Sequence, residues 1–370
     1  MRLSRAEIDH KKLRDNFDSV RKRVGPGVKV LCCVKANGYG HGLVEVARAL
    51  TDFGADYLGV GFLEEGIELR RNGVWIPILV MGGVLGSQLR HFVENDLDIT
   101  VSSLEIAHRI ASESGTVGKR AKVHLKIDTG MERIGVRSEH APKFVEEVCR
   151  MKELDVVGIY SHLATSGERD KSFARHQLAK FDGVLREIES RGIRIGLRHI
   201  ANSGAILDLP ESYYTMVRPG IVLYGVYPSR ETSESIPLSP VLSLKSTVVY
   251  IKEVPADTGI SYGRTYFTRE KTRIATIPIG YGDGYNRRLS NRAQVLIRGK
   301  RYPVAGIVCM DQFMVDLGVD SDVHVGDEVV LIGNDGGDTV TAWDLAESIG
   351  TIPYEVFTGI TARVPRDHVH

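Results

Sequence analysis

The stretch Val28-Lys29-Val30-Leu31-Cys32-Cys33-Val34, running straight into Lys35-Ala36-Asn37-Gly38-Tyr39-Gly40-His41-Gly42, sets the first element of the fold. An apolar run this rich in β-branched side chains predicts a strand buried on both faces. Seven further runs follow: Tyr57 to Gly61, Ile76 to Met81, Asp98 to Val101, Ala121 to Ile127, Leu154 to Ser161, Leu197 to Ile200 and Thr215 to Val217. Between them lie helix-like segments such as 172–191, where Phe173, Leu178, Phe181, Leu185 and Ile188 recur with a helical period. Strands that alternate with helices form parallel sheets, and eight such units predict a (β/α)8 TIM barrel. A doubly wound open sheet is the competing arrangement.

Beyond the eighth run the pattern changes. Residues 228–240 are polar and punctuated by Pro228, Pro237 and Pro240, which reads as a linker or long connection. After it come short strands over 246–254, 272–277, 294–297, 313–317 and 328–332, joined by Gly, Asp and Asn turns, and one helix over 342–349 capped by Thr341. The expected division is a barrel over 1–235 and a mostly antiparallel β domain over 236–370, with residues 1–8 available to pair with that domain.

Length agrees: 370 residues exceed the ~250 of a typical barrel and require an addition. Lys and Arg number 48 against 47 Asp and Glu, so the net charge of +1 argues against a nucleic-acid partner. The longest weakly polar run, Val74 to Gly86, is interrupted by Pro77 and falls short of the ~18 apolar residues of a membrane span. Glu7 precedes any apolar stretch, so the N-terminus does not read as a secretory signal, and a cytoplasmic location is expected. The four cysteines show no CxxC or CxxH spacing; buried free thiols are expected, with neither a disulfide framework nor a metal site.

Lys35 stands where barrel enzymes place their chemistry, at the C-terminal mouth, and partial desolvation there favours a nucleophilic amine. Schiff-base chemistry is one reading; a strand-end lysine that simply reaches solvent is another. The spacing Gly38-x-Gly40-x-Gly42 is not the Gly-x-Gly-x-x-Gly of a dinucleotide site, and Lys-Ala-Asn before it is foreign to that fingerprint.

The segment from Val34 to Gly42 resembles the signature of the alanine racemase family, pyridoxal-phosphate enzymes built of a barrel and a β domain. Further matching stretches run through the chain in order: Lys126 to Arg133, Tyr160 to Thr165, Ala201 to Ser203, Arg218 to Gly225, Ser261 to Gly263, Cys309 to Asp311 and Tyr354 to Val356. The resemblance implies that Lys35 holds the cofactor and serves as one of two bases. It implies that Tyr39, Ser203, Gly220, Ile221 and Tyr354 hold the phosphate, that Arg218 faces the pyridine nitrogen, and that His162 packs on the ring and links Arg218 to the second base. That base would be Tyr262, reaching the active site of a partner subunit in a head-to-tail homodimer. Arg133, Met310 and Tyr281 would serve the substrate alanine, the last two from the partner. Lys126 matches a family position that can be carbamylated and braces Arg133. Glu132 occupies a variable place in its motif, and no loss of function is expected from it. Supply of D-alanine for peptidoglycan is the implied role. A racemase of serine or of broader specificity stays open, as does a cofactor-free aldolase-type barrel; a non-catalytic pyridoxal-phosphate carrier fits less well, because such carriers lack the β domain.

Overall fold

A computed structural model of the chain describes residues 2–370 and divides it into two compact units. The barrel unit comprises residues 12–38 and 43–239; the β unit comprises the residues up to 11, residues 39–42 and residues 240–370.

Eight parallel strands make the barrel unit: Lys29–Cys33, Tyr57–Val60, Ile78–Val80, Asp98–Val101, Ala121–Asp128, Leu154–Tyr160, Leu197–His199 and Met216–Val217. The last pairs with the first, Met216 opposite Lys29 and Val217 opposite Val30. Strands seven and eight meet through two backbone bonds rather than a ladder, Thr215 N to Arg198 O (3.2 Å) and Arg218 N to Ala201 O (2.9 Å), so the sheet is a nearly closed barrel. The helix Ser172–Ser190 buries Leu178, Phe181, Leu185 and Ile188, while Phe173 stays exposed.

Polar side chains also lie buried in this unit. Asp98, Thr100, His124, Lys126, His199 and Arg218 are all at most 4% exposed. The two-residue period of a strand puts Asp98 with Thr100, and His124 with Lys126, on a common face. The expected linker is not loose: Asn16 grips Ser239 through Ser239 N to Oδ1 (2.8 Å) and Nδ2 to Ser239 O (2.9 Å), and Tyr227 donates to Ile236 O (2.9 Å). Of the thiols expected to be buried, Cys32 and Cys33 are, whereas Cys149 is exposed at the C-terminal end of helix Ala141–Cys149 and Cys309 is only partly covered, in the loop before Phe313–Asp316.

In the β unit one sheet runs Lys300–Pro303, Gln294–Ile297, Glu328–Asp335, Leu242–Thr247, Arg5–Asp9 and Arg366–Val369. Arg5–Asp9 is antiparallel to Leu242–Thr247 and parallel to Arg366–Val369. A three-stranded sheet joins Tyr250–Val254, Thr272–Ile277 and Phe313–Asp316. The single strand expected over 246–254 is thus two strands in two sheets, broken at 248–249. A small hairpin, Gly259–Ile260 with Tyr266–Phe267, carries Tyr262 in its turn. Helix Ala342–Ile349 has Thr341 as its cap: Thr341 Oγ1 accepts from Asp344 N (3.1 Å) and Asp344 Oδ2 from Thr341 N (2.7 Å). Among the described residues no helix is long and apolar enough to cross a membrane.

Candidate active site

Lys35 leaves the first barrel strand into a left-handed turn: Ala36, Asn37, Gly38 and Tyr39 have φ of 54°, 56°, 59° and 52°. Each non-glycine residue there costs about 1–2 kcal/mol, so other bonds must hold the turn. Glu65 supplies one of them and fixes the neighbouring strand end as well. Its Oε1 accepts from Ala36 N (2.6 Å), and its Oε2 accepts from Gly61 N (2.7 Å) and Phe62 N (3.2 Å), tying the ends of two adjacent strands to one carboxylate. Asn37 Oδ1 adds a bond from Leu43 N (2.9 Å).

The loops after strands seven and eight meet where Ser203 Oγ accepts from Gly220 N (2.9 Å), which leaves the hydroxyl proton free to be donated. Ile221 follows, fully buried. Arg218 spends Nη1 on His199 Nδ1 (2.8 Å) and Nη2 on Ser161 O (2.7 Å), Ile200 O (3.2 Å) and His162 Nδ1 (3.2 Å). No partner for its Nε–H occurs among the described residues.

Four basic side chains act on His162. Burial pushes its pKa well below the usual histidine value, and Arg218, Lys126, Arg133 and Lys35 push it further in the same direction. The ring is therefore neutral, and with Nδ1 accepting from Arg218 its hydrogen sits on Nε2. Lys126, buried, has its amine pKa lowered well below the ordinary range by burial and by Arg218 and Arg133; its Nζ lies 4.4 Å from the centre of the Tyr160 ring. No carboxylate forms an ion pair with Lys35, Lys126, Arg133 or Arg218 among the described residues. Glu132, beside Arg133 in sequence, pairs instead with Arg137 (2.9 Å). Three amides, those of Gly130, Met131 and Glu132, converge on Asp128 Oδ1 and shape that loop.

His199 is pushed the same way, by burial first and then by Arg218, His124 and Lys126. In the unfolded chain it takes a proton near ~6.5, whereas in the fold it resists one. Its contribution to stability is therefore complete above that pH and is lost as pH falls below it, at up to about 1.4 kcal/mol per unit. Urea denaturation of the protein at pH 7.5, 6.0 and 5.0 should show falling stability, with a shallower fall in His199→Gln; equal slopes would refute a neutral His199.

In the β unit, Tyr39 and Tyr354 stand side by side with ring centroids 6.0 Å apart. Gly40 makes this approach feasible: its φ is +83°, and a Cβ there would lie 2.2 Å from Phe357 O. Tyr262 is 70% exposed and follows Ser261, whose φ of 63° and ψ of −172° are glycine-like values. Ser261 is held there by its Oγ donating to Ile307 O (2.6 Å). Ser261, Tyr262, Cys309, Met310, Asp311 and Gln312 line a groove of about 540 Å³. Tyr281 is carried on a loop zipped to the Met310 loop by Tyr281 N to Cys309 O (3.0 Å) and Gly282 N to Met310 O (2.9 Å).

Asp283 anchors both loops. Fully buried, it accepts from Gly280 N at Oδ2 (3.0 Å), while Oδ1 faces Arg2 and Arg363 Nε (3.3 Å); Arg363 also binds Asp311 (2.6 Å). Asp283→Ala should destabilise the protein by about 1–3 kcal/mol, because it leaves the buried Gly280 amide without its acceptor. A guanidinium midpoint unchanged from wild type would show that Asp283 anchors nothing.

Residues 8–228 match the model of the alanine racemase N-terminal domain, and residues 241–368 match that of the alanine racemase C-terminal domain. The chain is 47% identical to alanine racemase 2 of Caldanaerobacter subterraneus subsp. tengcongensis, covering 100% of this chain and 96% of that protein. It is also 47% identical to the alanine racemase of Halothermothrix orenii, over 98% of this chain and 96% of the relative. The chain belongs to the alanine racemase family. Solved structures agree: that of the Clostridium difficile 630 alanine racemase superposes with a TM-score of 0.95 at 39% identity, covering 100% of this chain and 96% of that one. That of the Bacillus anthracis alanine racemase with bound L-Ala-P gives 0.94 at 36%, covering 100% and 96%.

As an alanine racemase family member the chain is a racemase, and its expected site residues fall into two sets. Lys35, Lys126, Arg133, His162, Ser203, Arg218, Gly220 and Ile221 belong to the barrel unit; Tyr39, Tyr262, Tyr281, Met310 and Tyr354 belong to the β unit. Sequence reasoning missed Glu65, Tyr160, His199, His124 and Asp98. The signal for the last two was a polar residue at alternate positions within strands read as apolar, as in Asp98-Ile99-Thr100 and His124-Leu125-Lys126.

Proposed function

We propose that the protein interconverts L-alanine and D-alanine with pyridoxal phosphate in the barrel mouth, using Lys35 and Tyr262 as bases on opposite faces of Cα. The observation that carries this reading is the set of basic side chains around His162, namely Arg218, Arg133, Lys35 and Lys126, none of them in an ion pair with a carboxylate among the described residues, a setting suited to an anionic cofactor and an anionic substrate. The residues fit pyridoxal phosphate. Among the described residues Arg218 retains an unspent Nε–H, Ser203 retains a hydroxyl proton, and Lys35 makes no ion pair that would occupy its amine.

Pyridoxal phosphate, when bound, supplies the electron sink that lets a Cα proton leave. Lys35 would hold it covalently and, once freed, would take the Cα proton of D-alanine at Nζ. Tyr262 would take that of L-alanine at its phenolate oxygen, from the β unit of a partner subunit. One fixed base cannot readily serve both faces, which is why a second is required. Arg218 only donates hydrogen bonds, so it would hold a pyridine nitrogen in its unprotonated form and limit build-up of carbanion charge. His162, with its hydrogen on Nε2, would donate toward Tyr262. Ser203, Gly220, Ile221, Tyr39 and Tyr354 would bind the phosphate. Arg133 and the Met310 amide would orient the substrate carboxylate, and Tyr281 would line its approach. Lys126, kept neutral, is suited to carbamylation, and the carbamate would brace Arg133.

The protein would act as a cytoplasmic homodimer with two shared sites and supply D-alanine for peptidoglycan. A relative, the Clostridium difficile 630 alanine racemase, has been solved in complex with cycloserine, and the same compound should inhibit here. The test is incubation of the purified protein with pyridoxal phosphate and L-alanine, followed by circular dichroism. Decay of the signal to zero with formation of D-alanine is expected; a stable signal would sink the proposal.

A further inference from the structure

A chain of hydrogen bonds runs through the barrel unit from Arg218 to a carboxylate that the racemase reading does not use. Arg218 Nη1 lies 2.8 Å from His199 Nδ1, His199 Nε2 lies 3.0 Å from His124 Nδ1, and His124 Nε2 lies 3.2 Å from Asp98 Oδ2. Tyr57 donates its phenol to the same Asp98 oxygen (3.2 Å). His124 and His199 are fully buried, Asp98 is 1% exposed and Arg218 3%.

Both ends of the chain have fixed roles. A guanidinium can only donate, and an ionised carboxylate can only accept. His199 must therefore present a bare Nδ1 to Arg218 and carry its hydrogen on Nε2. That hydrogen goes to His124 Nδ1, so His124 also carries its own on Nε2, facing Asp98. Reversing either ring sets two donors, or two acceptors, against each other inside the protein, where an unmet polar group costs most.

The surrounding residues are shaped for this arrangement. Gly158 pairs with His124 across the sheet, and a Cβ on Gly158 would lie 2.1 Å from His124 Nδ1, so glycine leaves the space for the ring. The His199 ring stacks on Tyr160 at 4.8 Å and 1°, and meets His124 edge-on at 5.2 Å and 79°. Tyr160 is in turn fixed by its hydroxyl bond to Thr100 (2.8 Å). Among the described residues no group of three or more His, Cys, Asp or Glu side chains is arranged to hold a metal ion.

We infer that Asp98 is a positioning residue for Arg218: through His124 and His199 it keeps both rings as Nε2–H tautomers and makes His199 Nδ1 a strong acceptor for the guanidinium. A carboxylate that accepts from one face of an imidazole raises the basicity of the other nitrogen, and here the effect passes through two rings. The consequence for the cofactor rests on the reading of Arg218 as its pyridine partner; the tautomers do not.

The test uses protein labelled with ¹⁵N in its histidines, together with Asp98→Asn, Asp98→Ala and Arg218→Lys. In the wild type, His124 and His199 should both give neutral Nε2–H patterns, each assigned by its loss on replacement. An Nδ1–H or imidazolium pattern at neutral pH overturns the proposal without recourse to any variant. In Asp98→Asn and Asp98→Ala the His199 Nδ1 resonance should shift, and pyridoxal phosphate titrated into the apoprotein should bind about tenfold more weakly. If Arg218→Lys weakens cofactor binding and neither Asp98 variant does, the positioning role falls while the reading of Arg218 stands. If none of the three weakens it, both fall.

Discussion

Lys35→Ala protein should fold, bind no cofactor covalently, and racemise alanine at least about 10⁴-fold more slowly than wild type. Folding should survive because the turn around Lys35 is not held by its side chain. Ala36 N is held by Glu65, Gly38 N by Val34 O (2.8 Å), and Leu43 N by Asn37. The amine itself makes no ion pair among the described residues, so its removal leaves no buried charge unpaired. The visible absorbance of bound pyridoxal phosphate should disappear while the denaturation midpoint stays near that of wild type. A variant with retained absorbance and turnover would move the covalent attachment away from Lys35.

Tyr262→Phe should behave differently: the cofactor stays and turnover falls by about 10²–10⁴-fold, the usual weight of one acid–base group. Tyr262 stands 70% exposed on a hairpin turn, so losing its hydroxyl disturbs no packing in the free chain. The expected defect is one-sided. Lys35 still reaches the Cα proton of D-alanine, so in D₂O that proton should wash out, whereas the proton of L-alanine should persist. Proton NMR of each enantiomer reads this directly. Loss of the Cα proton from L-alanine at the wild-type rate would remove Tyr262 from the second-base role.

The fold was legible where the pattern is local. Eight apolar runs named the eight barrel strands to within a residue or two, because each must be buried on both faces. Pairings far apart in sequence were not legible. Nothing local announces that Arg5–Asp9 lies between Leu242–Thr247 and Arg366–Val369, or that residues 39–42 group with the β unit. Among the candidate site residues, Lys35 drew attention by standing at a strand end, whereas Arg218 and Ser203 were pointed to by the family resemblance. Asp98, His124 and His199 drew no such attention, since a polar residue inside an apolar run reads as a break until its partner on the next strand is known. Gly158 carried a hint: a glycine inside a strand often marks another group's close approach, and here that group is the His124 ring.

The proposed sharing of sites makes a further demand on the two variants. In a head-to-tail dimer, Lys35→Ala and Tyr262→Phe damage different halves of each site, so a heterodimer of the two holds one site with both defects and one with neither. The most direct measurement mixes the two inactive proteins, unfolds and refolds them together in equal amounts with pyridoxal phosphate, and assays alanine racemisation. Random pairing should restore about a quarter of wild-type activity, since half the dimers carry one intact site of two. No recovery, with mixed dimers shown to have formed, would mean that Lys35 and Tyr262 act within one chain, and the shared-site account would be wrong.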